Sequence, residues 1–490
     1  MNHTPLRRTI ALLALAPISL APLSAFATNG MNLEGYGPIA LGMGGAALAY
    51  DNGTAAVINN PATLGLMNSQ QRLDLAAGFL GPDVNATHEA SGTSSGSSAD
   101  AFYMPAAGWA THSGRWTSGV ALFGQGGMGT EYSNTSIMSN PGMMAPSPNL
   151  VNRSEVSVGR VMVPLVFKAN SKLHIGGTVD FVWAGMDLRM AMSESQFQDL
   201  ANPASRQAGS ASGSMVDAFG ALYAPFGGSG INKLHHAYFD FSNDNDFSGK
   251  ARGYGLGGKL GLTYEVSPQL TVGATYHAKT WLNDLKSNEA QLAMAVNGDT
   301  GVLSGGPASG TNADMTINLT GDIVVKNFEW PALSGVGIAF RPASAWLLVA
   351  DYKRIYWSGV MSNFNMVFTA ADVASNGGFA GKALDATLYQ NWKDQDVVAL
   401  GASYQLTQSW TLRAGANFGE NPIPDRYLNA LFPATVEKHY TAGAGYQINT
   451  DSTINAAVSV APETRVTAAS GITSQHSQIS WQLMYSYLWQ

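Results

Sequence analysis

The 490-residue sequence has no cysteine and little charge. The lack of cysteine excludes disulfides and thiolate chemistry, although an oxidising compartment would have allowed disulfides. Charged residues make up 12% of the chain, about half the share of a typical soluble domain. The formal net charge of −7 is mild and argues against nucleic acid as a partner. Beyond the N-terminus, no stretch approaches the roughly 18 apolar residues of a membrane-spanning helix.

The N-terminus has the three parts of a secretory signal. Arg7 and Arg8 supply positive charge, residues 10–20 are largely apolar, and Ala25-Phe26-Ala27 forms a small-x-small cleavage site. The pattern predicts a signal peptide over residues 1–27. An exported chain without a helical span is periplasmic, secreted, or an outer-membrane barrel.

Glycine, tyrosine and tryptophan are abundant, and apolar and polar residues alternate over many short stretches. At the C-terminus, one face of a strand would carry Ile479, Trp481, Leu483, Tyr485, Tyr487 and Trp489. The residues between them are mostly polar, and only a period of two separates the two sets. The aromatic end suits a strand that rests in a headgroup girdle. Residues 68–490 are therefore predicted to form an all-β, 14-stranded antiparallel transmembrane β-barrel.

Short and long connections alternate between the predicted strands, which places both chain ends in the periplasm and the long loops outside. The predicted strands are 72–79, 101–112, 115–124, 154–168, 171–190, 249–266, 269–286, 313–341, 345–358, 394–406, 409–419, 436–448, 451–462 and 475–489. Residues 313–341 could be two strands broken at Trp330-Pro331. We interpret them as one bulged strand, because proline is tolerated at bulges and bacterial barrels have even strand numbers.

Residues 28–67 do not alternate and are rich in small residues. Such a segment packs into a confined space more readily than it spans a bilayer. We predict that it is a hatch, or plug, inside the lumen.

The long loops contain unusually many apolar residues. Met128, Met143 and Met144 lie in or near the second loop. In the third loop, an apolar stripe with helical spacing consists of Met215, Phe219, Leu222 and Phe226. Exposed Met and Phe side chains form adaptable binding surfaces. The loops are therefore either an apolar capture surface or simply a cap in which they pack on each other.

No motif supports catalysis or a cofactor. Residues 253–258 match G-x-G-x-x-G, but the strand alternation continues through them, whereas a dinucleotide site needs a helix there. The histidines lack metal-ligand spacing, and no nucleophile–base pair is evident. The sequence predicts no enzyme activity, no metal and no cofactor.

The chain resembles the FadL family (OMPP1/FadL/TodX) of outer-membrane transporters for long-chain fatty acids and other hydrophobic molecules. Residues 41–45 look like part of the family's hatch, which ends in an Asn-Pro-Ala signature, here Asn60, Pro61 and Ala62. This signature lies just before the first predicted strand. Further similar segments are residues 81–85 and 421–424.

The resemblance implies passive transport without covalent chemistry. Ligand would adsorb to the outer loops, the hatch would shift, and the ligand would leave sideways through a kink in the third strand. Gly126 and Gly127 match the kink, although they could be ordinary loop glycines. The expected setting is the outer membrane of a Gram-negative bacterium, where a monomer contacts membrane lipid and lipopolysaccharide.

The basic residues do not decide between a carboxylate substrate and a neutral one. Fatty-acid members of the family place basic side chains in the pocket, but residues 183–186 lack one at the matching place. Arg189, Lys279 and Lys353 are candidates to meet a carboxylate. Long-chain fatty acids are the first expectation, and neutral aromatic or aliphatic hydrocarbons are the alternative. A general porin and a surface receptor are the competing classes.

Overall fold

The computed structural model describes residues 29–140, 148–243 and 249–489. The predicted signal peptide, Met143 and Met144 lie outside the described residues. None of the helices in the described part of the chain is long and apolar enough to cross a membrane.

The described chain is almost entirely β-structure. Its strands, numbered in chain order, are β1 Gln71–His88, β2 Thr93–Gly96, β3 Phe102–Ser113, β4 Trp116–Tyr132, β5 Asn152–Lys168, β6 Leu173–Ser193, β7 Gly209–Ser212, β8 Ile231–Asp240, β9 Ala251–Ser267, β10 Leu270–His277, β11 Trp281–Leu282, β12 Leu285–Asp299, β13 Asn312–Lys326, β14 Leu333–Phe340, β15 Trp346–Ile355, β16 Asn363–Ala370, β17 Ala383–Tyr389, β18 Gln395–Gln405, β19 Trp410–Gly419, β20 Lys438–Gln447, β21 Ser452–Thr467 and β22 Ile472–Trp489.

The helices are short and lie at the N-terminus or between strands. The α-helices are α1 Pro38–Leu41, α2 Ala56–Asn59, α3 Glu194–Ala201, α4 Ser214–Leu222 and α5 Thr300–Leu303. The 3-10 helices are Gly53–Ala55, Pro61–Leu66, Ile137–Ser139, Ala224–Phe226, Trp357–Gly359, Ala374–Phe379 and Asp425–Tyr427.

The strands form one antiparallel sheet that closes on itself, because β1 pairs with both β3 and β22. At the end of the barrel with the long connections, β6 is followed around the wall by β8, then by β12 and then by β9. Counted along this path, the closed barrel has 16 strands. Nearer the opposite rim, β6 pairs directly with β9. The predicted count of 14 is wrong, because residues expected to be loops at 191–248 and 287–312 contribute β8 and most of β12.

The single bulged strand expected at 313–341 is also wrong. β13 pairs with β12 and β16, whereas β14 pairs with β10 and β15. The break contains Asn327 in the left-handed region (φ 56°) and Pro331, which has no N–H to donate to a ladder. These two residues end one strand and allow the next to start elsewhere in the sheet.

The outward face of the wall is apolar. Large exposed side chains alternate with inward residues, and Val179 and Leu260, for example, are 67% and 65% exposed. Aromatic rings pair across neighbouring strands at the rim with the short turns, with centroids 4.7 Å apart for Trp346 and Tyr404. An apolar band that ends in an aromatic girdle is the surface expected of a wall in contact with lipid.

The sheet also extends sideways from the barrel at the end with the long connections. This extension begins with β8 and β12, which belong to the 16-stranded circuit as well, and pairing continues from β12 through β13, β16 and β17 to β7. The helices α3 and α4 pack against this extension. The extension and the two helices together line an apolar pocket.

Candidate functional site

The extension encloses an apolar pocket of about 860 Å³, which we call the outer pocket. All 18 residues that line it are apolar. Helix α4 contributes Met215 and Phe219, β6 contributes Met190, β12 contributes Met294 and β16 contributes Phe368. A wall without donors, acceptors or charge suits an apolar ligand.

The structure separates the four residues of the predicted apolar stripe. Met215 and Phe219 line the outer pocket, whereas Leu222 and Phe226 pack behind it. The ring of Phe226 contacts Tyr223 at 5.2 Å between centroids, edge to face. Half of the stripe therefore faces the outer pocket, and the other half packs among the residues of the cap.

Sequence reasoning missed the strands that complete the outer pocket. Leu292 on β12, Met366 on β16 and Leu384 on β17 line it, in stretches that were expected to be loops. The signal was present, because apolar residues alternate at 290–296 and at 384–388. These alternations are short, and they lack the aromatic end that marked the lipid-facing strands.

A second space, the inner cavity, continues from the outer pocket toward the barrel lumen and holds about 510 Å³. The two share Met190 and Leu388 in their walls. The inner cavity is also lined by Met128, one of the predicted capture residues, and by Met31 near the chain's N-terminal end. Adjacent apolar walls thus extend from the extension to the N-terminal segment.

The hydrogen-bonded ladder between β3 and β4 ends early, and we call the stretch of wall without these hydrogen bonds the opening. Their pairing runs from Ser113 and Trp116 only as far as Ala107 and Leu122. Beyond that point β3 pairs with β1, and β4 pairs with β5. The ladder between β4 and β5 shifts register between Gly124 and Gly126, which is a bulge. A bulge bends a strand locally, so the upper part of β4 diverges from β3.

The bulge contacts the start of the described chain. Asn32 forms an isolated β-bridge with Gly126, and the N–H of Gly127 donates to the carbonyl of Met31 at 3.2 Å. A Cβ atom at Gly126 would lie 2.2 Å from that carbonyl oxygen, so only glycine allows this approach. The indole N–H of Trp330 donates to the Asn32 side chain at 2.8 Å.

Gly127 has a different constraint from its neighbour. A Cβ atom there would lie 2.1 Å from the carbonyl oxygen of Val156 on β5. Glycine at this position is therefore needed for the β4–β5 pairing. A small cavity of about 370 Å³, lined by Gly127 and Met128, adjoins the opening, and it shares Met128 with the inner cavity.

Polar groups buried in the lumen hold the bulged residue Gln125. Its side-chain oxygen accepts a hydrogen bond from Arg160, and its backbone carbonyl accepts one from the hydroxyl of Tyr36. Arg160 is itself paired with Asp180 at 2.8 Å, and Lys259 contacts the same carboxylate at 2.6 Å. Burial raises the pKa of Tyr36, so this hydroxyl is neutral and donates. The opening therefore has a fixed shape on the lumen side.

Residues 29–67, the N-terminal segment, are mostly buried against inward-facing residues of the wall. Asn60 donates to the carbonyls of Leu48 at 2.7 Å and Leu262 at 3.2 Å, and it accepts from the N–H of Ala62 at 3.2 Å. Pro61 follows as the first residue of a 3-10 helix, where its missing N–H costs nothing. The predicted signature residues thus join the N-terminal segment to β9.

The chain is similar to a known family of proteins. A model of the family described as outer membrane protein transport protein (OMPP1/FadL/TodX) matches residues 14–485. The chain belongs to this family. The FadL family consists of outer-membrane transport channels for fatty acids or hydrocarbons, and these channels are not enzymes. The resemblance seen in the sequence is confirmed.

Solved structures of two FadL-family members are similar over nearly the whole chain. The toluene transporter TodX of Pseudomonas putida is 29% identical, with a TM-score of 0.77, 94% of this chain covered and 99% of that chain. The toluene transporter TbuX of Ralstonia pickettii is also 29% identical, with a TM-score of 0.71, 94% of this chain covered and all of that chain.

The curated relatives that align over most of this chain are less similar in sequence. A long-chain fatty acid transport protein of Salmonella typhi is 23% identical over 91% of this chain and 89% of its own length. Several other curated relatives align over only 40 to 42% of their own length.

The three candidate basic residues are all engaged elsewhere. Arg189 pairs with Asp240 at 2.9 Å, and strand alternation puts both on the face of the sheet opposite Met190. Lys279 pairs with Glu329, and Lys353 donates to the carbonyl of Gly45 at 2.6 Å. None of the three lines the outer pocket or the inner cavity. Their side chains hold the structure together at these sites.

Proposed function

We propose that the protein carries hydrophobic molecules passively across the outer membrane and releases them sideways through the opening between β3 and β4. The observation that carries this proposal is a chain of shared walls. The outer pocket and inner cavity share Met190 and Leu388, and the inner cavity shares Met128 with the space beside the opening. A molecule in the outer pocket therefore has an apolar surface beside it along the route to the wall.

Sideways release suits an apolar cargo. Burial of apolar surface is worth about 25 cal/mol per Å², and a molecule that moves from the cavities into lipid avoids returning that energy to water. The break in β3–β4 pairing and the bulge at Gln125 support an exit at this point. A route through the periplasmic side would instead require displacement of the whole N-terminal segment.

The preferred substrate in this proposal is a neutral hydrophobic molecule. Among residues 29–140, 148–243 and 249–489, no charged residue lines the outer pocket or the inner cavity, and a buried carboxylate without a partner is costly. The two structural relatives at 29% identity are named toluene transporters. A long-chain fatty acid is the second candidate, favoured by the similarity to the Salmonella typhi protein over 91% of the chain.

We further propose that residues 28–67 act as a hatch. Met31 and Asn32 contact the bulge, while the carbonyl of Gly45 and the side chain of Asn60 bond to the barrel wall. If Met31 and Asn32 moved away from the bulge while Gly45 and Asn60 kept their bonds to the wall, the exit would widen. The rest of the N-terminal segment would stay in the lumen. In this proposal the protein works as a monomer, with its outer face in membrane lipid and lipopolysaccharide.

The test is uptake of labelled toluene and labelled oleate by cells that lack their own channels for hydrophobic compounds. Cells that express the protein should take up toluene faster than matched cells without it, and oleate uptake should rise less. Faster oleate uptake with no effect on toluene would favour the fatty-acid candidate. No effect on either, with folded protein in the outer membrane, would count against the transport proposal. Large steady ion currents in planar bilayers would instead favour a porin.

A further inference from the structure

Two buried cations on the lumen side of the wall share one carboxylate. Asp180 accepts from Arg160 at 2.8 Å and from Lys259 at 2.6 Å, and each of the three residues is at most 2% exposed. Charged side chains are almost never buried to this extent unless they are paired. One carboxylate cannot neutralise two cations, so the guanidinium of Arg160 favours a second acceptor.

That acceptor is Gln125, the extra residue of the bulge in β4. The Nε–H of Arg160 donates to the side-chain oxygen of Gln125, and the hydroxyl of Tyr36 donates to the backbone carbonyl of the same residue. A hydrogen bond from a charged donor is about twice as strong as one between neutral groups. The bulge is therefore held toward the lumen through both its side chain and its backbone.

The wall leaves room for the guanidinium of Arg160. Gly257 on β9 lies directly opposite Asp180 on β6, and a Cβ atom at Gly257 would lie 2.5 Å from Nη1 of Arg160. Alanine at this position would push the guanidinium aside. Gly257 belongs to the glycine-rich stretch 253–258, and the space it leaves for Arg160 is a structural reason for a glycine there.

The backbone of β3 presents one donor to the opening. The N–H of His112 donates to Gln70, just before β1, and alternate residues of an antiparallel strand bond to opposite neighbours. The odd-numbered residues of β3 therefore point toward β4, and beyond Ala107 these are Pro105 and Tyr103. Proline has no N–H, so the donor is that of Tyr103. Unpaired backbone groups away from water are costly, which favours closure of β4 onto β3 unless something holds it away.

We propose that Arg160 is a positioning residue for release, because its hold on Gln125 keeps β4 bent away from β3. Tyr36 shares this hold, but it belongs to the segment that we propose as a hatch, whereas Arg160 belongs to the wall. The hold of Arg160 therefore persists when the N-terminal segment shifts. This inference rests on the proposed function and deepens it by naming what keeps the exit open.

The test combines amide exchange of the purified full-length protein with binding and uptake of labelled toluene. Gln125→Leu removes the acceptor of Arg160 and keeps a side chain of similar size. We expect exchange at the Tyr103 N–H to slow about fivefold, the effect of one new hydrogen bond to β4. Toluene uptake should fall at equal protein abundance, while toluene binding to the outer pocket stays unchanged. Gln125→Glu keeps an oxygen acceptor and should leave exchange and uptake at their wild-type values.

A second variant reaches Arg160 from another strand. Gly257→Ala displaces the guanidinium without changing Gln125 and should act like Gln125→Leu, so either variant decides if the other does not assemble. The control Thr117→Val removes a side-chain contact with His112 in the paired part of β4 and should change neither exchange at Tyr103 nor uptake.

The sign of the change at Tyr103 separates positioning from a general loss of stability, which would speed exchange. Unchanged or faster exchange at Tyr103, or undiminished uptake, in Gln125→Leu and Gly257→Ala would overturn the proposal. No uptake by the folded wild-type protein would instead refute the transport proposal. Exchange at Tyr103 would then still show whether Arg160 holds β4 away from β3.

Discussion

Ala386 offers a direct test of the outer pocket. It lies on β17, is half-buried and lines the pocket among purely apolar neighbours. Toluene has about the surface of a phenylalanine side chain, roughly 200 Å². Its burial is worth about 5 kcal/mol at 25 cal/mol per Å². Ala386→Asp places a carboxylate in this wall, and no cation that lines the pocket could pair with it.

The introduced carboxylate must stay hydrated, so toluene can bury less apolar surface in the outer pocket. An unpaired polar group costs about 1–3 kcal/mol in proteins, and we expect toluene to bind about 30-fold more weakly to Ala386→Asp. Thr387→Asp is the matched control, because the next residue along the strand points to the opposite face, where its hydroxyl bonds Asn365 at 3.0 Å. Equilibrium binding of labelled toluene to purified protein measures both. Equal weakening in the two variants, or none in Ala386→Asp, would refute the assignment of the pocket.

Two further substitutions test the N-terminal segment. Gly126→Ala should displace Met31 and speed amide exchange at residues 29–34, because the new Cβ would lie 2.2 Å from the Met31 carbonyl oxygen. Gly124→Ala is the control and should leave this exchange unchanged, because its Cβ would meet only the Met104 side chain, at 3.6 Å. Asn60→Ala loses a helix cap and two hydrogen bonds to carbonyls. The free energy of local opening at residues 53–66, measured by hydrogen exchange or proteolysis, should therefore fall by about 1–2 kcal/mol. Asn68→Ala, at an exposed position, is the control and should have no effect.

The sequence was most informative where one face of a strand meets lipid. The alternation from Ile479 to Trp489 predicts β22, because the bilayer imposes apolar residues on every second position over a long stretch. One face of the extension lines the outer pocket, and the other is largely polar and exposed, as at Asn318, Thr320 and Asp322 on β13, so no aromatic, lipid-facing pattern marks these strands. This is why β8, β12, β16 and β17 were expected to be loops, and why the strand count was wrong.

The candidate site could be predicted only in part for the same reason. Met215 and Phe219 stood out through helical spacing within one segment. The partner of Arg189 is Asp240, which lies 51 residues away in a region read as a loop, so nothing local showed that the charge was already paired. Contacts of this kind follow from tertiary packing and leave no periodic signal.

The exit between β3 and β4 can be tested with a reversible cross-link. A Cβ atom at Gly124 would lie 3.7 Å from the Cβ of Met104 across the opening, close to the mean Cβ–Cβ separation in disulfides. The chain has no cysteine of its own.

The most direct measurement is uptake of labelled toluene by cells that express the Met104→Cys, Gly124→Cys double variant, before and after reduction. A Thr111→Cys, Ser118→Cys pair, in the part of β3 and β4 that is already hydrogen-bonded, is the control. We predict that oxidation blocks uptake in the first pair and that reduction restores it, with no change in the control. Undiminished uptake in the fully oxidised first pair would contradict sideways exit at this opening.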